Sequence, residues 1–427
     1  MSLYVRMVPS HPLSILILGL NYSPERTGNA PYTASLAEGL QARGHHVRVI
    51  TTYPHYPQWR ISEGYGGWST RSVVRGVLVD RKLHYVPRKP RGVARLASEI
   101  SFGARLFFSR WGKPDLVVLV SPALFSSALA GIRARWGFRR PSIVIWVQDL
   151  YSLGVVETGQ GSESVASIMS RIESAVLRNS TGVAVIHERF RAYVVNKLGV
   201  APDLVKVIRN WSHLMPPAHI DRGRARASLG WKDDEIVVLH AGNMGAKQGL
   251  ENVVESARYA ISKALPIRFV LMGDGNQRKH LEELARDVEK LTFVDSLLDE
   301  EFQQALSSAD VLLVNEKPGI AEMAVPSKLT SYFSTGVPVL AATDSGSVTD
   351  GEIQASGGGI RVDAGDPQAL AEAAYALASD RELSRTLGAA GRSFREQYLS
   401  EAVAIDGYAE WLESLAATRG RSAAHTS

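Results

Sequence analysis

The feature that most constrains this chain is a repeated alternation in which short, apolar, β-branched runs are separated by stretches with helical spacing. Runs at 14–20, 47–52, 116–120, 143–148 and 182–186 occupy the first half; those at 236–240, 267–272, 291–294, 311–314, 337–342 and 359–362 occupy the second. Strands that are apolar throughout are buried on both faces, and strands alternating with helices build parallel sheets covered on either side. Two such series in 427 residues predict an α/β protein of two doubly wound, Rossmann-like domains. Pro216 and Pro217 interrupt any regular element, which sets the expected domains at 1–210 and 211–400. The helical pattern continues toward residue 415, so 401–427 is expected to be a helix returning to the first domain, plus a tail.

Composition narrows the class. Hydrophobic content of 45% and charged content of 21% are those of a soluble globular protein, and no apolar run is long enough to span a bilayer. The one apolar segment near the N-terminus reads as a first strand rather than a signal peptide. The absence of cysteine excludes disulfides, thiolate metal sites and a cysteine nucleophile, and is compatible with a cytoplasmic location. The net charge of +5 conceals a local concentration: Arg88, Lys89, Arg91, Arg95, Arg105, Arg110 and Lys113 are interleaved with Leu96, Ile100, Phe102, Leu106, Phe107, Phe108 and Trp111. Such a segment fits either an anionic membrane surface at the inner face of the cell membrane or a packed helix with a basic solvent face. Because the charge is local and no recognition motif accompanies it, nucleic acid is not an expected partner.

In open parallel sheets ligands bind beyond the carboxyl ends of the strands, so the loops there carry the chemistry. In HAGNMGAKQGLENVV, residues 240–254, Gly242, Asn243, Gly245 and Gly249 surround Lys247. Leu250, Val253, Val254, Ala257 and Ile261 recur at helical spacing, placing a helix start near Gln248 or Gly249. Unpaired helix amides, the macrodipole, glycines that admit close approach and a lysine charge together make a phosphate site. An ordinary strand-to-helix turn with a solvated lysine is the plainer alternative. Gly28 and Asn29 lie in a twelve-residue loop, long for a strand-to-helix link. The loop TTYPHYPQW gathers three aromatics, a histidine and two prolines, suited to sugar faces or to packing the loop itself. Gln148 and Asp149, then His187, end two further strands, and Gly273, Asp274 and Gly275 follow another. Glu316, Glu322 and Lys328 run through the last of these loops into a helix.

Taken in order, LNYSPERTGNAPYTASLAEGLQARGHHVRVIT, TYPHYP, VQDLY, RNWS, AGNMGAKQGLENVVESA, MGDG and VPSKLTSYFSTGVPVLAAT resemble the family 4 glycosyltransferases of GT-B fold. They are similar in particular to the bacterial branch of O-antigen and colanic acid fucosaminyltransferases. The resemblance spans nearly the whole chain. It implies two Rossmann-like domains facing each other across a cleft, the first binding an acceptor and the second a nucleotide-diphosphate sugar, with a UDP-sugar the first candidate. By the same resemblance Lys247 would hold the donor diphosphate together with Gly242, Asn243 and Gly245. Gly273, Asp274 and Gly275 would line the nucleotide side, and Lys328 would lie near the ribose and phosphates. Gly28 and Asn29 would face the diphosphate, and Asp149 would stand beside the donor sugar.

The pattern departs from the family at two places. Met323 and Ser331 occupy the positions of the usual Glu-x7-Glu pair, with Glu322 one residue away as a replacement. Asn243 and Met244 stand where relatives pair the lysine with an arginine. The resemblance further implies retention of anomeric configuration, metal-independent chemistry with no cofactor, and a glycan or polyprenyl-linked acceptor from surface polysaccharide synthesis. Two other classes share the same binding features: a nucleotide-sugar 2-epimerase, with His187 and Asp149 as its acid and base, and a non-catalytic nucleotide-sugar or glycan-binding module. Natural-product glycosylation is a further setting for the same transfer.

Overall fold

A computed structural model describes residues 12–25, 28–90, 92–136, 140–152, 163–211, 220–319 and 327–424. The chain divides into two compact units, Met1–Trp211 with Glu401–Ser427, and Ser212–Ser400.

In the first unit the elements run β1 (Ser14–Leu18), α1 (Ala30–Ala42), β2 (His46–Thr52), β3 (Ser69–Val74), β4 (Val77–Lys82), α2 (Gly92–Phe107), β5 (Leu116–Val120), α3 (Leu124–Arg135), β6 (Ser142–Val147), α4 (Glu163–Arg178), β7 (Gly182–Val185), α5 (Glu188–Asn196) and β8 (Val205–Val207). The strands form one sheet of order β3-β4-β2-β1-β5-β6-β7-β8. Only β3 is antiparallel to its neighbour. Ile15 and Ile17 of β1, Val118 of β5 and Val144 of β6 enter one apolar cluster with Leu36 and Leu40 of α1.

The β3–β4 hairpin has no counterpart among the apolar runs, for a physical reason. Its buried strand, β4, carries charge beside its valines: Asp80 accepts hydrogen bonds from Arg48 Nε and Arg71 Nε, both at 2.7 Å. Burial alone would raise the Asp80 pKa, but the two guanidiniums win and hold it below the ordinary carboxylate value. β4 does bury Val77 and Val79 in the apolar cluster, but Asp80, Arg81 and Lys82 follow at once, so its apolar alternation is too short to stand out. The three-residue β8 is too short to leave one.

The last helix, α14 (Glu401–Ala424), belongs to the first unit although the whole second unit intervenes in sequence. Its Tyr408 is buried, with its ring 5.3 Å from Trp146 and 6.4 Å from Trp211, and those two indoles stack at 6.2 Å. Gly39 of α1 is small because Ile405 occupies the space a side chain would need: a Cβ there would lie 2.3 Å from Ile405 Cδ1. Arg43 donates to Asp406 at 2.6 Å and pins the adjacent turn.

The second unit runs α6 (Arg222–Ser228), β9 (Ile236–Ala241), α7 (Glu251–Ser262), β10 (Ile267–Met272), α8 (Arg278–Leu284), β11 (Leu291–Val294), α9 (Asp299–Ser308), β12 (Val311–Asn315), α10 (Ser327–Thr335), β13 (Val339–Ala342), α11 (Val348–Ser356), β14 (Gly359–Val362), α12 (Pro367–Ser379) and α13 (Arg381–Tyr398). Its sheet, of order β11-β10-β9-β12-β13-β14, is parallel throughout. Val238 packs into one apolar layer with α7 and α12, whereas Val237, Leu239 and Ala241 pack into the other with α9, α10 and α13. Burial on both faces is why β9 reads as an unbroken apolar run rather than an alternation.

Replacing Tyr408 with alanine is expected to destabilise the first unit by about 3 kcal/mol, the usual cost of emptying an aromatic site. Urea unfolding followed through tryptophan fluorescence measures it; an unchanged midpoint would contradict the role given to α14.

Candidate functional site

Among the parallel strands of each sheet the order reverses once: between β1 and β5 in the first, and between β9 and β12 in the second. At such a switch point the loops leave in opposite directions and open a crevice at the carboxyl ends.

In the second unit the loop after β9 is the glycine–lysine turn. The backbone N–H of Lys317, just past β12, donates to Lys247 O at 2.9 Å. The Asn315 amide donates to Gln248 O at 2.8 Å and to Gly249 O at 3.0 Å, and accepts from Asn252 Nδ2 at 2.9 Å. Asn315 thus clamps the turn to the neighbouring strand, a role no spacing in the sequence announced. Gly249 has φ +53°, and a Cβ there would meet Lys317 Cα at 3.0 Å, so both conformation and contact require glycine.

The turn itself differs from the expected helix start. Residues 246–248 form a 3-10 turn, Gly249 reverses the chain, and α7 begins only at Glu251. Lys247 is therefore presented by the 3-10 turn ahead of the helix, with its side chain exposed.

Gly273 and Gly275 have a specific structural cause. A Cβ on Gly273 would lie 2.1 Å from Gly242 O, and one on Gly275 would lie 2.4 Å from Met244 O. The two turns are zipped together by Gly242 N–H to Met272 O and Met244 N–H to Asp274 O, both 2.8 Å, and Gln277 N–H to Met244 O at 3.0 Å. Gly245 N–H donates to Gln248 Oε1 at 3.0 Å. The amides of Gly242, Met244 and Gly245 are thus engaged within the fold, and the positive charge the turn offers an anion is that of Lys247. Asn243 and Asp274 are exposed at the same edge.

Lys328 and Ser331 lie one turn apart on α10, both partly exposed, and so share a face. Lys328 Nζ is 3.4 Å from His240 Nε2 at the end of β9. Glu322 and Met323 lie outside the described residues. Glu316 is buried and accepts from the hydroxyls of Thr343 and Thr349, which ties β12 to β13 and α11.

In the first unit the loops after β1 and β5 meet through Asn29 Nδ2, which donates to Ser121 O at 2.8 Å. Gly28 has φ +63°, and a Cβ there would come 3.5 Å from the Tyr56 ring. Glu25 is buried and accepts from the backbone N–H groups of His55 and Tyr56 at 2.7 and 2.8 Å, fixing the aromatic loop against the first. Gln148 exchanges two hydrogen bonds with Asn210, while Asp149 is exposed and its carboxylate accepts from Leu150 N–H at 2.9 Å. His187 caps α5, accepting from Phe190 N–H at 3.2 Å. Among the described residues no group of three or more His, Asp or Glu side chains is placed to hold a metal.

Two of the basic residues singled out in segment 88–113 are used internally. Arg105 lies 3.6 Å over the Trp68 ring and donates to its carbonyl, and Arg95 lies 5.6 Å over Tyr151. Arg88, Lys89, Arg110 and Lys113 are exposed. No described helix is long and apolar enough to cross a membrane.

Family models for a glycosyl transferase 4-like domain and for glycosyl transferases group 1 match residues 27–211 and 235–380. The colanic acid biosynthesis glycosyl transferase WcaI of Escherichia coli is 34% identical over 76% of this chain and 82% of its own length. The lipopolysaccharide core biosynthesis glycosyltransferase LpsE of Rhizobium meliloti is 23% identical over 49% of this chain and 58% of its own. Among solved structures, sucrose-phosphate synthase of Thermosynechococcus elongatus superposes with TM-score 0.68 at 21% identity, over 94% of this chain and 99% of that one. HepE of Anabaena in complex with UDP-glucose gives 0.66 at 16%, over 94% and 100%. These superpositions show the GT-B fold.

Gly273→Ala is expected to lower the stability of the second unit by about 3 kcal/mol, since the methyl group meets a carbonyl and the backbone is strained. Gly346→Ala, with φ +74° but open space around it, serves as the control and costs about 1–2 kcal/mol. Denaturant midpoints of the two variants compare them; equal midpoints would remove the turn-on-turn packing as the cause.

Proposed function

We propose that this chain, which belongs to the family of GT-B glycosyltransferases, moves a sugar from a nucleotide-diphosphate donor to a glycan hydroxyl in surface polysaccharide synthesis, with retention of configuration. The carrying observation is Lys247, clamped at the switch point of the second sheet by Lys317 N–H and Asn315. A cation fixed where a parallel sheet opens suits a pyrophosphate, whose charge grows as it becomes the leaving group. HepE, of the same fold, was solved with UDP-glucose bound, and WcaI is named for colanic acid synthesis; both support a UDP-sugar and a polysaccharide acceptor.

The second unit would hold the donor, with Gly242–Gly245 and Gly273–Gly275 forming a rigid floor and Lys328 and Ser331 beside it. The first unit would present the acceptor from the Gly28–Asn29 and aromatic loops, with Asp149 at the donor sugar. In the transfer, the bond from the anomeric carbon to the leaving phosphate oxygen breaks while the acceptor oxygen bonds to that carbon on the same face. The acceptor proton passes to the departing phosphate. The protein's work is then charge stabilisation, and it needs neither a strong external base nor a metal. The epimerase alternative loses support at His187, which is buried and whose Nδ1 is taken by the cap of α5.

A second observation concerns where the acceptor is met. Phe108 and Trp136, at the ends of α2 and α3, are 84% and 69% exposed and are bridged by Phe107, whose ring is 5.3 and 5.4 Å from theirs. With exposed Arg110 and Lys113 beside them, they suit the interface of an anionic bilayer that carries a polyprenyl-linked acceptor.

Lys247→Ala should reduce turnover about 100-fold with the active UDP-sugar. Nucleotide release and sugar identity followed by mass spectrometry check this, and undiminished release would sink the assignment. A nucleotide-bound but altered sugar would identify an epimerase instead. For the membrane face, wild-type protein is expected to float with phosphatidylglycerol vesicles at low salt and the Phe108→Ser, Trp136→Ser double variant to stay behind; equal flotation refutes the patch.

A further inference from the structure

The helix α10 is docked on the strand ends by a hydroxyl. Tyr332 OH accepts from Ala241 N–H at 2.8 Å and lies 3.3 Å from the carbonyls of Ala241 and Leu313, so it spans β9 and β12 at the switch point. Lys328, four residues earlier, lies on the same face of α10. Its neighbour is His240, the residue before Ala241, which is 0% exposed. Lys328 Nζ is 3.4 Å from His240 Nε2. The lysine stem also runs past the glycine turn, since a Cβ on Gly242 would be 3.9 Å from Lys328 Cε.

An ammonium group only donates, so the facing imidazole nitrogen must present its lone pair. Burial, followed by the Lys328 charge itself, pushes the His240 pKa well below its ordinary value and keeps the ring neutral. A neutral acceptor can orient a cation without cancelling its charge, whereas a carboxylate in the same place would neutralise it. An interior histidine at the end of β9 is costly unless its polarity is used; Lys328 gives Nε2 a use, while Nδ1, left to carry the ring's proton, finds no hydrogen-bond partner among the described residues.

We infer that His240 is a positioning residue that holds Lys328 as the second cation of the diphosphate site, where Asn243 and Met244 provide none. The inference rests on the nucleotide-sugar reading. It assigns to β9 both the turn that carries Lys247 and the side chain that aims Lys328. His240 touches neither donor nor acceptor; it acts through the lysine.

Calorimetric titration with UDP tests it on the full-length chain. The expected results are an affinity about ten-fold weaker in His240→Leu, near-native affinity in His240→Gln, whose amide oxygen replaces the Nε2 acceptor, and no further loss when His240→Leu is added to Lys328→Met. Wild-type protein that binds UDP while His240→Leu binds it equally well overturns the inference and leaves the nucleotide-sugar reading standing; wild-type protein that binds no nucleoside diphosphate removes both. A measurement that leaves His240 in place covers the case in which the leucine variant does not fold. In 15N-histidine-labelled wild type at neutral pH, His240 is expected as the neutral tautomer protonated at Nδ1, with its Nε2 resonance shifted by Lys328→Met. A ring protonated at Nε2, or an Nε2 resonance indifferent to Lys328, overturns the inference.

Discussion

The contact on which the second unit's edge depends is the one between two backbones, Gly242 to Met244 against Gly273 to Gly275. They approach so closely that no side chain fits at Gly273 or Gly275, and they exchange hydrogen bonds at 2.8 Å. β9 and β10 are adjacent in the sheet, so the turns that follow them must either splay apart or merge; here they merge. Merging consumes the amides of Gly242 and Met244, and it makes a rigid floor from which Lys247 projects on its own 3-10 turn. The glycines thus act indirectly on any bound anion. They fix where the cation stands rather than supplying the hydrogen bonds.

A comparable economy organises the first unit. Trp146, next to last in β6, is fully buried, and a large part of that burial comes from outside the sheet's own helices. α14 closes it from the far end of the sequence, with Tyr408 against Trp146 and Trp211 and Ile405 in the gap left by Gly39. The core of the first unit is therefore complete only with the residues after 400 in place.

How much of this could be read from the sequence follows from what each element buries. Central parallel strands such as β9 and β5 are apolar on both faces and were legible as runs. The β3–β4 pair is not, because β3 is largely exposed and β4 offers only Val77 and Val79 before Asp80, which is buried with guanidiniums. The Lys247 turn was visible as glycines around a lysine, but the start of α7 was placed too early because Gly249 turns the chain before the helix can begin. Gln148 and His187 stand out by their positions at strand ends, yet Gln148 pairs with Asn210 and His187 Nδ1 caps α5. Asn315 and His240 also sit at strand ends, but nothing in the sequence shows what they hold. A polar residue at the end of an apolar strand gives no periodic signal, and its partner lies far away in sequence, 67 residues for Asn315 with Gln248 and 88 for His240 with Lys328.

The departures from the family pattern are better understood together than singly. In the proposed reading, Asn243 withholds a positive charge from the diphosphate, while Ser331 withholds a carboxylate from the face of α10 that carries Lys328. Charges a few ångströms apart at a partly exposed edge interact by about 1–4 kcal/mol. A glutamate at 331, one turn from Lys328, would compete with a pyrophosphate for that ammonium; a serine adds no such competitor and still offers a hydroxyl to a ribose. The loss of one cation and the loss of one anion therefore offset each other at the phosphates. In that reading Lys247 and Lys328 supply the positive charge, and the neutral ring of His240 orients the second of them without adding a negative charge beside it.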